Sequence, residues 1–453
     1  MSIFRAYDIR GIVGETLTPE LVCQIGQAIG SEAAKQQQAE VVIARDGRLS
    51  GAALSQALSE GLQAAGRKVI DIGMVPTPVL YFATYHLNTG SGVMLTGSHN
   101  PPNYNGMKMM IGGDTLFDQA IQQLKQRIDN GDLMQGFGDY QTLDLKQAYI
   151  ERICGDVKLK RPFKLVIDCG SGVAGAIAPQ LFRQLGCEVI ELYCEVDGHF
   201  PHHHPDPSKP ENLHDLIAAV KTHRADLGFA FDGDGDRLGV VDATGQIIWP
   251  DRQMILYARD VLSRNPNAAI IYDVKCSQHL TDAIIAAGGQ AIMWKTGHSF
   301  IKTKIKTSGA ALGGEMSGHI FFKERWYGFD DALYTGARLL EILSQDSRSP
   351  TAVFKELPDA VNTPELNLNT AEGENFILMD KIRAHFTFDQ AEIVTIDGLR
   401  ANFATGWGLV RASNTTPCLV LRFEADTAED LAAIQEQFRA QFKQIDAHLA
   451  LPF

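Results

Sequence analysis

The sequence predicts an α/β protein: three similar α/β domains with mixed, mainly parallel sheets, followed by a smaller α+β domain. Three observations carry this reading. At 453 residues the chain is too long for one hydrophobic core, and a usual domain of about 100–150 residues gives three or four of them. An apolar run ending in Asp occurs three times, as Val41-Val42-Ile43-Ala44-Arg45-Asp46, Leu165-Val166-Ile167-Asp168 and Ile270-Ile271-Tyr272-Asp273. Each run leads into a helical stretch that closes at Gly66, Gly186 or Gly288. A second apolar run follows, at Lys68-Val69-Ile70, Glu188-Val189-Ile190 or Ala291-Ile292-Met293. Strand, helix, glycine stop and strand make a βαβ unit, and repetition implies successive units of one kind. After Asn362-Thr363-Pro364 the pattern changes. Strand-like Glu392-Ile393-Val394-Thr395 and Cys418-Leu419-Val420-Leu421-Arg422-Phe423 flank one loop, and an amphipathic helix runs from Ala428 to about Asp446. The expected domains are 1–150, 151–252, 253–360 and 361–453, with Pro358 and Pro364 in a connection that reads as a hinge. In such sheets functional loops lie at the carboxyl ends of strands.

A hydrophobic share of 45% and a charged share of 21% are ordinary for a globular protein. The net charge of -13 argues against a general nucleic-acid binder and against an acidic membrane surface as partner. An anionic small substrate stays open, because the local field in a cleft decides that. The N-terminal segment lacks the apolar core of a signal peptide, and no run reaches the length of a membrane span. Seven cysteines (23, 154, 169, 187, 194, 276 and 418) form no CxxC pair and read as free thiols in a reducing compartment, by default the cytoplasm.

The densest chemistry is Asp232-Gly233-Asp234-Gly235-Asp236, followed by Arg237. Leu227–Phe231 reads as a buried strand and Leu238–Val241 as its return, so the aspartates occupy a short turn. Carboxylates that close raise one another's pKa unless a cation neutralises them. Hard oxygen donors in a compact turn suit Mg²⁺. An EF-hand loop would need Gly at position six and Glu at position twelve, where Arg237 and Ala243 stand.

Four more loops bear on function. Thr96-Gly97-Ser98-His99-Asn100-Pro101-Pro102 follows an apolar run, with Gly97 and Pro101 holding Ser98 at an exposed tip. His99 adjoins it, but neighbours in sequence rarely face each other, and Asn100 breaks the GxSxG elbow pattern. Asp168-Cys169-Gly170-Ser171-Gly172-Val173-Ala174-Gly175 matches GxGxxG, with Glu188 or Glu191 as ribose partner. That match is poor, since Asp168 would face a pyrophosphate. In Gly313-Gly314-Glu315-Met316-Ser317-Gly318-His319, alternate polar residues share one side of an extended loop and can pair with vicinal hydroxyls. Arg411-Ala412-Ser413-Asn414-Thr415-Thr416-Pro417 supplies a guanidinium, hydroxyls and backbone N–H groups suited to phosphate. Lys275 and His298 stand in two further basic segments, Asp273-Val274-Lys275-Cys276-Ser277 and Lys295-Thr296-Gly297-His298-Ser299. The His199…His202-His203-His204 cluster, in a Pro-rich loop without zinc-ligand spacing, reads as structural.

Taken in order, Phe4-Arg5-Ala6-Tyr7-Asp8-Ile9-Arg10-Gly11, TGSHNP at 96–101, DGDGDR at 232–237, GEMSGH at 314–319 and RASNTTP at 411–417 resemble the α-D-phosphohexomutase superfamily over essentially the whole chain. Within it they resemble the bacterial phosphomannomutase/phosphoglucomutase branch. The resemblance implies four domains around a central cleft and a phosphoserine at Ser98. It implies Mg²⁺ held by Asp232, Asp234, Asp236 and an oxygen of that phosphoserine. Phosphoryl would pass between C1 and C6 of hexose phosphates through a hexose 1,6-bisphosphate, helped by Arg10, Lys108 and Arg237. Lys108, Arg10 and His298 are the candidates for acid/base work. Glu315 and Ser317 would read sugar hydroxyls with Tyr7, His319, Lys275 and His298 nearby, and Arg411, Ser413, Asn414 and Thr415 would clamp the non-reacting phosphate. Met316 matches the mannose/glucose branch, whereas the glucosamine branch carries Gln there. The implied partners are small-molecule hexose phosphates, with neither nucleic acid nor membrane, and the implied state is a monomer or a weak homodimer. A phosphoglucosamine mutase, a sugar phosphatase using the same serine and metal, and a non-catalytic sugar-phosphate sensor are the alternatives.

Overall fold

The three apolar runs that end in Asp become strands Glu40–Arg45, Lys164–Asp168 and Ala269–Asp273 of a computed structural model that describes residues 3–414 and 416–453. Each is an inner strand with a parallel neighbour on both sides. Inner parallel strands are covered on both faces by helices, which is why these runs are continuously apolar rather than alternating. The helices that follow, Gly51–Ala64, Ala178–Gln184 and Gln278–Ala286, lead back to strands Lys68–Met74, Glu188–Leu192 and Gln290–Trp294. Gly66, Gly186 and Gly288 all take left-handed φ values just past the helix ends.

Among the described residues the strands form four sheets, of seven, five, four and six strands. The first three share one further feature. A last parallel strand turns back into an antiparallel one: Gly92–Leu95 into Tyr104–Ile111, Leu227–Phe231 into Leu238–Asp242, and Leu312–Gly314 into Ile320–Phe322. The serine loop, the aspartate loop and the GEMSGH loop are these three turns.

The fourth sheet is antiparallel, with helices Glu374–His385 and Ala428–Ile445 packed against strands Gly406–Ala412 and Cys418–Ala425. Its stretch between 395 and 418 differs from the expected single loop. Two strands, Leu399–Phe403 and Gly406–Ala412, occupy it as a hairpin. Their two glycines and one Pro-free polar turn gave little alternation to read; Trp407 and Leu409 pack instead on Val274 of the third unit.

One continuous apolar core runs through the first three units, joining Phe82 and Tyr149 to Phe182, Phe229, Trp326 and Tyr334. The fourth has its own, built on Leu399, Leu419, Phe423, Phe438 and Phe442. All seven cysteines are free. No helix among the described residues is long and apolar enough to cross a membrane.

Helices Pro19–Lys35 and Gly51–Ala64 cross on the first sheet at a distance only glycine allows. A Cβ on Gly61 would lie 2.0 Å from the Cys23 carbonyl oxygen, and one on Gly26 would lie 2.5 Å from that of Leu58. Overpacking of this kind costs about 1–3 kcal/mol. Gly61→Ala is therefore expected to lower the unfolding free energy by that amount, read as lower thermal and denaturant midpoints. Gly155→Ala, on an exposed helical site with nothing within 4 Å of the new Cβ, leaves them unchanged or slightly raised.

Candidate active site

The turn of Asp232, Asp234 and Asp236 is sealed: all three carboxylates are fully buried, and one oxygen of each lies within 4.8 Å of the other two. Asp232 Oδ1 accepts the N–H groups of Asp236 at 3.0 Å and Arg237 at 3.1 Å, which closes the turn on itself. Cations reach the cluster from its surroundings. Arg237 Nε donates to Asp232 Oδ2 at 3.0 Å, and Lys108 Nζ donates to Asp234 Oδ2 at 2.6 Å and to Asp236 Oδ2. Thr77 adds its hydroxyl and its N–H to Asp234. Asp234 Oδ1 and Asp236 Oδ1 remain buried without a hydrogen-bond partner among the described residues. Burial, then Asp236 and Asp234, push the Asp232 carboxyl up to about 7. At Asp234 burial acts the same way, but Lys108 outweighs it and holds that carboxyl below the usual range. Orphaned hard oxygens and unequal carboxylates relieved by positive charge are what a divalent cation satisfies. The donor set fits a metal.

Ser98 sits over this cluster, with its Oγ donating to Asp232 Oδ2 at 3.2 Å. It is buried, not an exposed tip as expected. Its φ of 48° is left-handed, a cost of about 1–2 kcal/mol for a non-glycine residue. That twist also overturns the expectation about His99, whose Nδ1 lies 3.1 Å from Ser98 Oγ. Burial, then Arg237, holds the His99 imidazole neutral, well below its ordinary value.

Sequence reasoning did not find what holds this loop. The Arg48 guanidinium, buried beneath it, donates to the carbonyls of Ser98 (2.8 Å), Asn100 (2.6 Å), Pro101 (2.6 Å) and Tyr104 (2.9 Å). Asp46 accepts from Arg48, from Thr96 Oγ1 at 2.8 Å and from Gly97 N–H at 3.1 Å. A Cβ at Gly97 would strike that guanidinium at 2.3 Å. The signal was present as the recurring terminal Asp. Asp273 likewise accepts Met316 N–H at 3.1 Å and Thr296 Oγ1 at 2.8 Å, ordering the third loop. Asp168 instead binds Gly170 N–H and His203, and its glycine loop packs on the aspartate turn, where a Cβ at Gly172 would meet Gly233 at 3.0 Å. Close approach between loops thus accounts for the glycines of the GxGxxG match. Glu188 and Glu191 pair with Lys164 and Arg183 on the surface.

On the third unit, Glu315 is buried and accepts Gly297 N–H. Ser317 lies half-buried in the same turn. His319 Nδ1 approaches Asp236 Oδ1 at 3.5 Å, and its ring stacks on His298 at a centroid distance of 5.6 Å. Burial, then Lys302, keeps His298 neutral, whereas at His319 the carboxylates of Asp236 and Asp330 outweigh burial and favour the protonated form. Asp234 and Asp236 outweigh burial at Lys108 in the same sense and keep its ammonium charged.

The fourth unit closes the ring. Arg411 is held by Asp397, which also accepts Thr296 N–H at 3.0 Å. Asn414 Nδ2 donates to Tyr7 Oη, and Tyr7 donates to the Thr296 carbonyl at 3.1 Å. Burial pushes the Tyr7 phenol up to about 12. Ser413 is buried beside Thr416, Lys275 Nζ meets Glu365 at 2.5 Å, and Arg10 donates to Asn100 Oδ1 at 3.0 Å and to Asp8. A cavity of about 550 Å³ opens between Arg10, His99 and Asn100 on one side and Thr416 and Pro417 on the other. Thr415 lies outside the described residues. In the histidine cluster, His203 pairs with Asp168 and His202 stacks on Tyr193.

Four family descriptions match in succession: Phosphoglucomutase/phosphomannomutase, alpha/beta/alpha domain I at residues 1–135, domain II at 147–245, domain III at 249–361, and the C-terminal domain at 365–441. The chain is similar to the phosphomannomutase/phosphoglucomutase of Pseudomonas aeruginosa, with 56% identity over 452 residues, covering 100% of this chain and 98% of that one. It is similar to the phosphoglucomutase of Neisseria gonorrhoeae, with 55% identity covering 99% and 98% of the two chains. A crystal structure of a phosphoglucomutase/phosphomannomutase family protein from Burkholderia thailandensis superposes with a TM-score of 0.95 at 54% identity, covering 100% of this chain and 99% of that one.

Burial, as the largest cause, pushes the Glu315 carboxyl up to about 7 from an ordinary 4.5. The folded protein then keeps a proton that the unfolded chain releases, so this stabilisation is complete below pH 4.5 and is lost as pH rises through 7. The shift corresponds to roughly 3 kcal/mol. In metal-free buffer, the stability of wild type relative to Glu315→Gln is expected to fall by about that amount between pH 5 and pH 8, read from denaturant unfolding.

Proposed function

The chain belongs to the phosphoglucomutase/phosphomannomutase family, and on that premise we propose that Ser98 carries the phosphoryl group that this hexose-phosphate mutase moves between C1 and C6. One observation supports the reading above the others: Ser98 Oγ stands 3.2 Å from the first carboxylate of a buried metal-binding triad. The substrates are glucose and mannose phosphates. They differ only at C2, and a site that reads O3 and O4 through Glu315 and Ser317 accepts both.

In the resting enzyme Ser98 is phosphorylated. The free hydroxyl of a bound hexose phosphate attacks that phosphorus, the bond from phosphorus to Ser98 Oγ breaks, and the serine oxygen takes up a proton. The product of this half is a hexose 1,6-bisphosphate, which also serves as activator when supplied from outside. After it turns over in the cleft, Ser98 Oγ attacks the other phosphate and the sugar oxygen leaves. Asp232, Asp234, Asp236 and an oxygen of the phosphoserine would hold Mg²⁺, which neutralises charge on the equatorial oxygens of the transferring group.

Environments that push paired titratable groups apart assign acid and base roles. His298, kept neutral, would accept the sugar proton, and His319, kept protonated, would return one. Lys108, whose ammonium meets Asp234 and Asp236, adds positive charge beside the transferring group and stands with His319 as a proton donor. Arg10 and Arg237 add positive charge at the serine loop. Arg411, Ser413, Asn414 and Thr415 clamp the phosphate that is not reacting. Because they touch phosphate and no particular carbon, one clamp serves both orientations of the sugar.

Ser98→Ala is expected to reduce kcat at least about 10³-fold on both sugars, and intact-mass analysis should find one phosphoryl group on the wild type and none on the variant. Turnover of glucose 1-phosphate without mannose 1-phosphate would reject the dual substrate, and release of free phosphate without isomer would make the protein a phosphatase. Chelation of divalent cations should abolish mutase activity, and added Mg²⁺ should restore it.

A further inference from the structure

Next to the aspartate turn lies a second group of donors that shares Asp236 with the triad and otherwise holds no ligand of the proposed reaction. Asp236, His319 and Asp330 each offer one atom within 4.8 Å of the other two. His319 Nδ1 is 3.0 Å from Asp330 Oδ2 and 3.5 Å from Asp236 Oδ1. His298 Nδ1, on a side chain more than nine-tenths buried, points in at 3.9 Å from Asp330 Oδ2. His319 Nδ1 and Asp330 Oδ2 have each other, as an ion pair, while His298 Nδ1 and Asp236 Oδ1 have no hydrogen-bond partner among the described residues. Three of these donors lie within 4.8 Å of one another, and His298 Nδ1 flanks them beside Asp330.

We propose that Asp236 Oδ1, Asp330 Oδ2, His319 Nδ1 and His298 Nδ1 form a second cation site, selective for a divalent transition metal of the zinc type. Two imidazole nitrogens with two carboxylate oxygens make a borderline set that suits Zn²⁺ or Co²⁺, while Mg²⁺ prefers oxygen alone. Around a tetrahedral ion with bonds of about 2.0–2.1 Å, adjacent donors stand roughly 3.3 Å apart. The 3.0 and 3.5 Å separations at His319 bracket that spacing. Outer contacts aim the donors as well: Lys302 Nζ holds Asp330 Oδ1 at 3.0 Å and Lys108 holds Asp236 Oδ2, leaving the other oxygen of each carboxylate turned to His319.

This site rests on the proposed function only for its consequence. A metal here engages the ring nitrogens of the two histidines assigned to proton transfer and shares Asp236 with the triad, so its occupancy inhibits the enzyme. Extra Mg²⁺ would not relieve that inhibition, whereas it would relieve simple displacement from the triad.

The test uses the full-length protein, stripped of metal and then saturated with Mg²⁺. Co²⁺ titration should add one equivalent per chain with the strong visible absorption of a four-coordinate ion, and Zn²⁺ should displace it. Asp330→Asn and His298→Gln should each weaken Co²⁺ binding at least tenfold. Binding of Co²⁺ only when Mg²⁺ is absent, a six-coordinate spectrum, or unchanged affinity in both variants would overturn the proposal. The wild-type titration in excess Mg²⁺ decides the matter even where a variant does not fold. Because the spectrum does not depend on turnover, a failure of the mutase reading would show in the activity assay alone.

Discussion

Three fully buried carboxylates within five residues set the condition that the rest of the chain has to meet. A buried charge left without a partner costs several kcal/mol, more than most single contacts return. The aspartate turn supplies only Arg237 from its own neighbourhood. Lys108 and Thr77 come from the first unit and His319 from the third. Charge compensation and domain docking are therefore one event. The continuous apolar core through the first three units provides the area that holds those cations in place, with Phe82, Phe182, Phe229 and Tyr334 on its path.

The same constraint explains where chemistry sits. In each of the first three sheets the functional turn joins the last parallel strand to an antiparallel one. At that reversal the chain leaves the helical layers and has no crossover to make, so a short loop can stand at the carboxyl edge of the sheet with its backbone tied down on both sides. Three copies of one fold thus present a serine, a carboxylate cluster and a polar loop at equivalent places. They differ in side chains and agree in position.

Most of the fold was legible because the repeated strands are apolar on both faces and their helices end at glycines with left-handed φ. The site was legible where chemistry is local, as at Asp232, Asp234 and Asp236. It was illegible where a side chain acts across the chain. Arg48 grips carbonyls some fifty positions away, and nothing in its own neighbourhood announces that. Asp330 meets His319 and Lys302, and its sequence neighbours give no hint of either. The hairpin of Leu399–Phe403 and Gly406–Ala412 escaped for a related reason. Arg400 and Trp407 stack at 3.8 Å and serve a contact with another unit rather than an alternating face of their own sheet.

That contact shows how the fourth unit can be both attached and separable. On one side Arg400 donates to the Val274 and Cys276 carbonyls, Arg422 to that of Lys275, and Glu424 accepts from Ser277 and Gln278, around the buried Trp407 ring. On the cleft side the closure consists of single polar contacts: Asn414 to Tyr7, Thr296 to Asp397 and Lys275 to Glu365. These are part-buried contacts, few in number beside the seam. Opening the cleft side breaks those few and leaves both the seam and the fourth core intact. The carboxylate triad, locked inside the first three units, is untouched by such a motion.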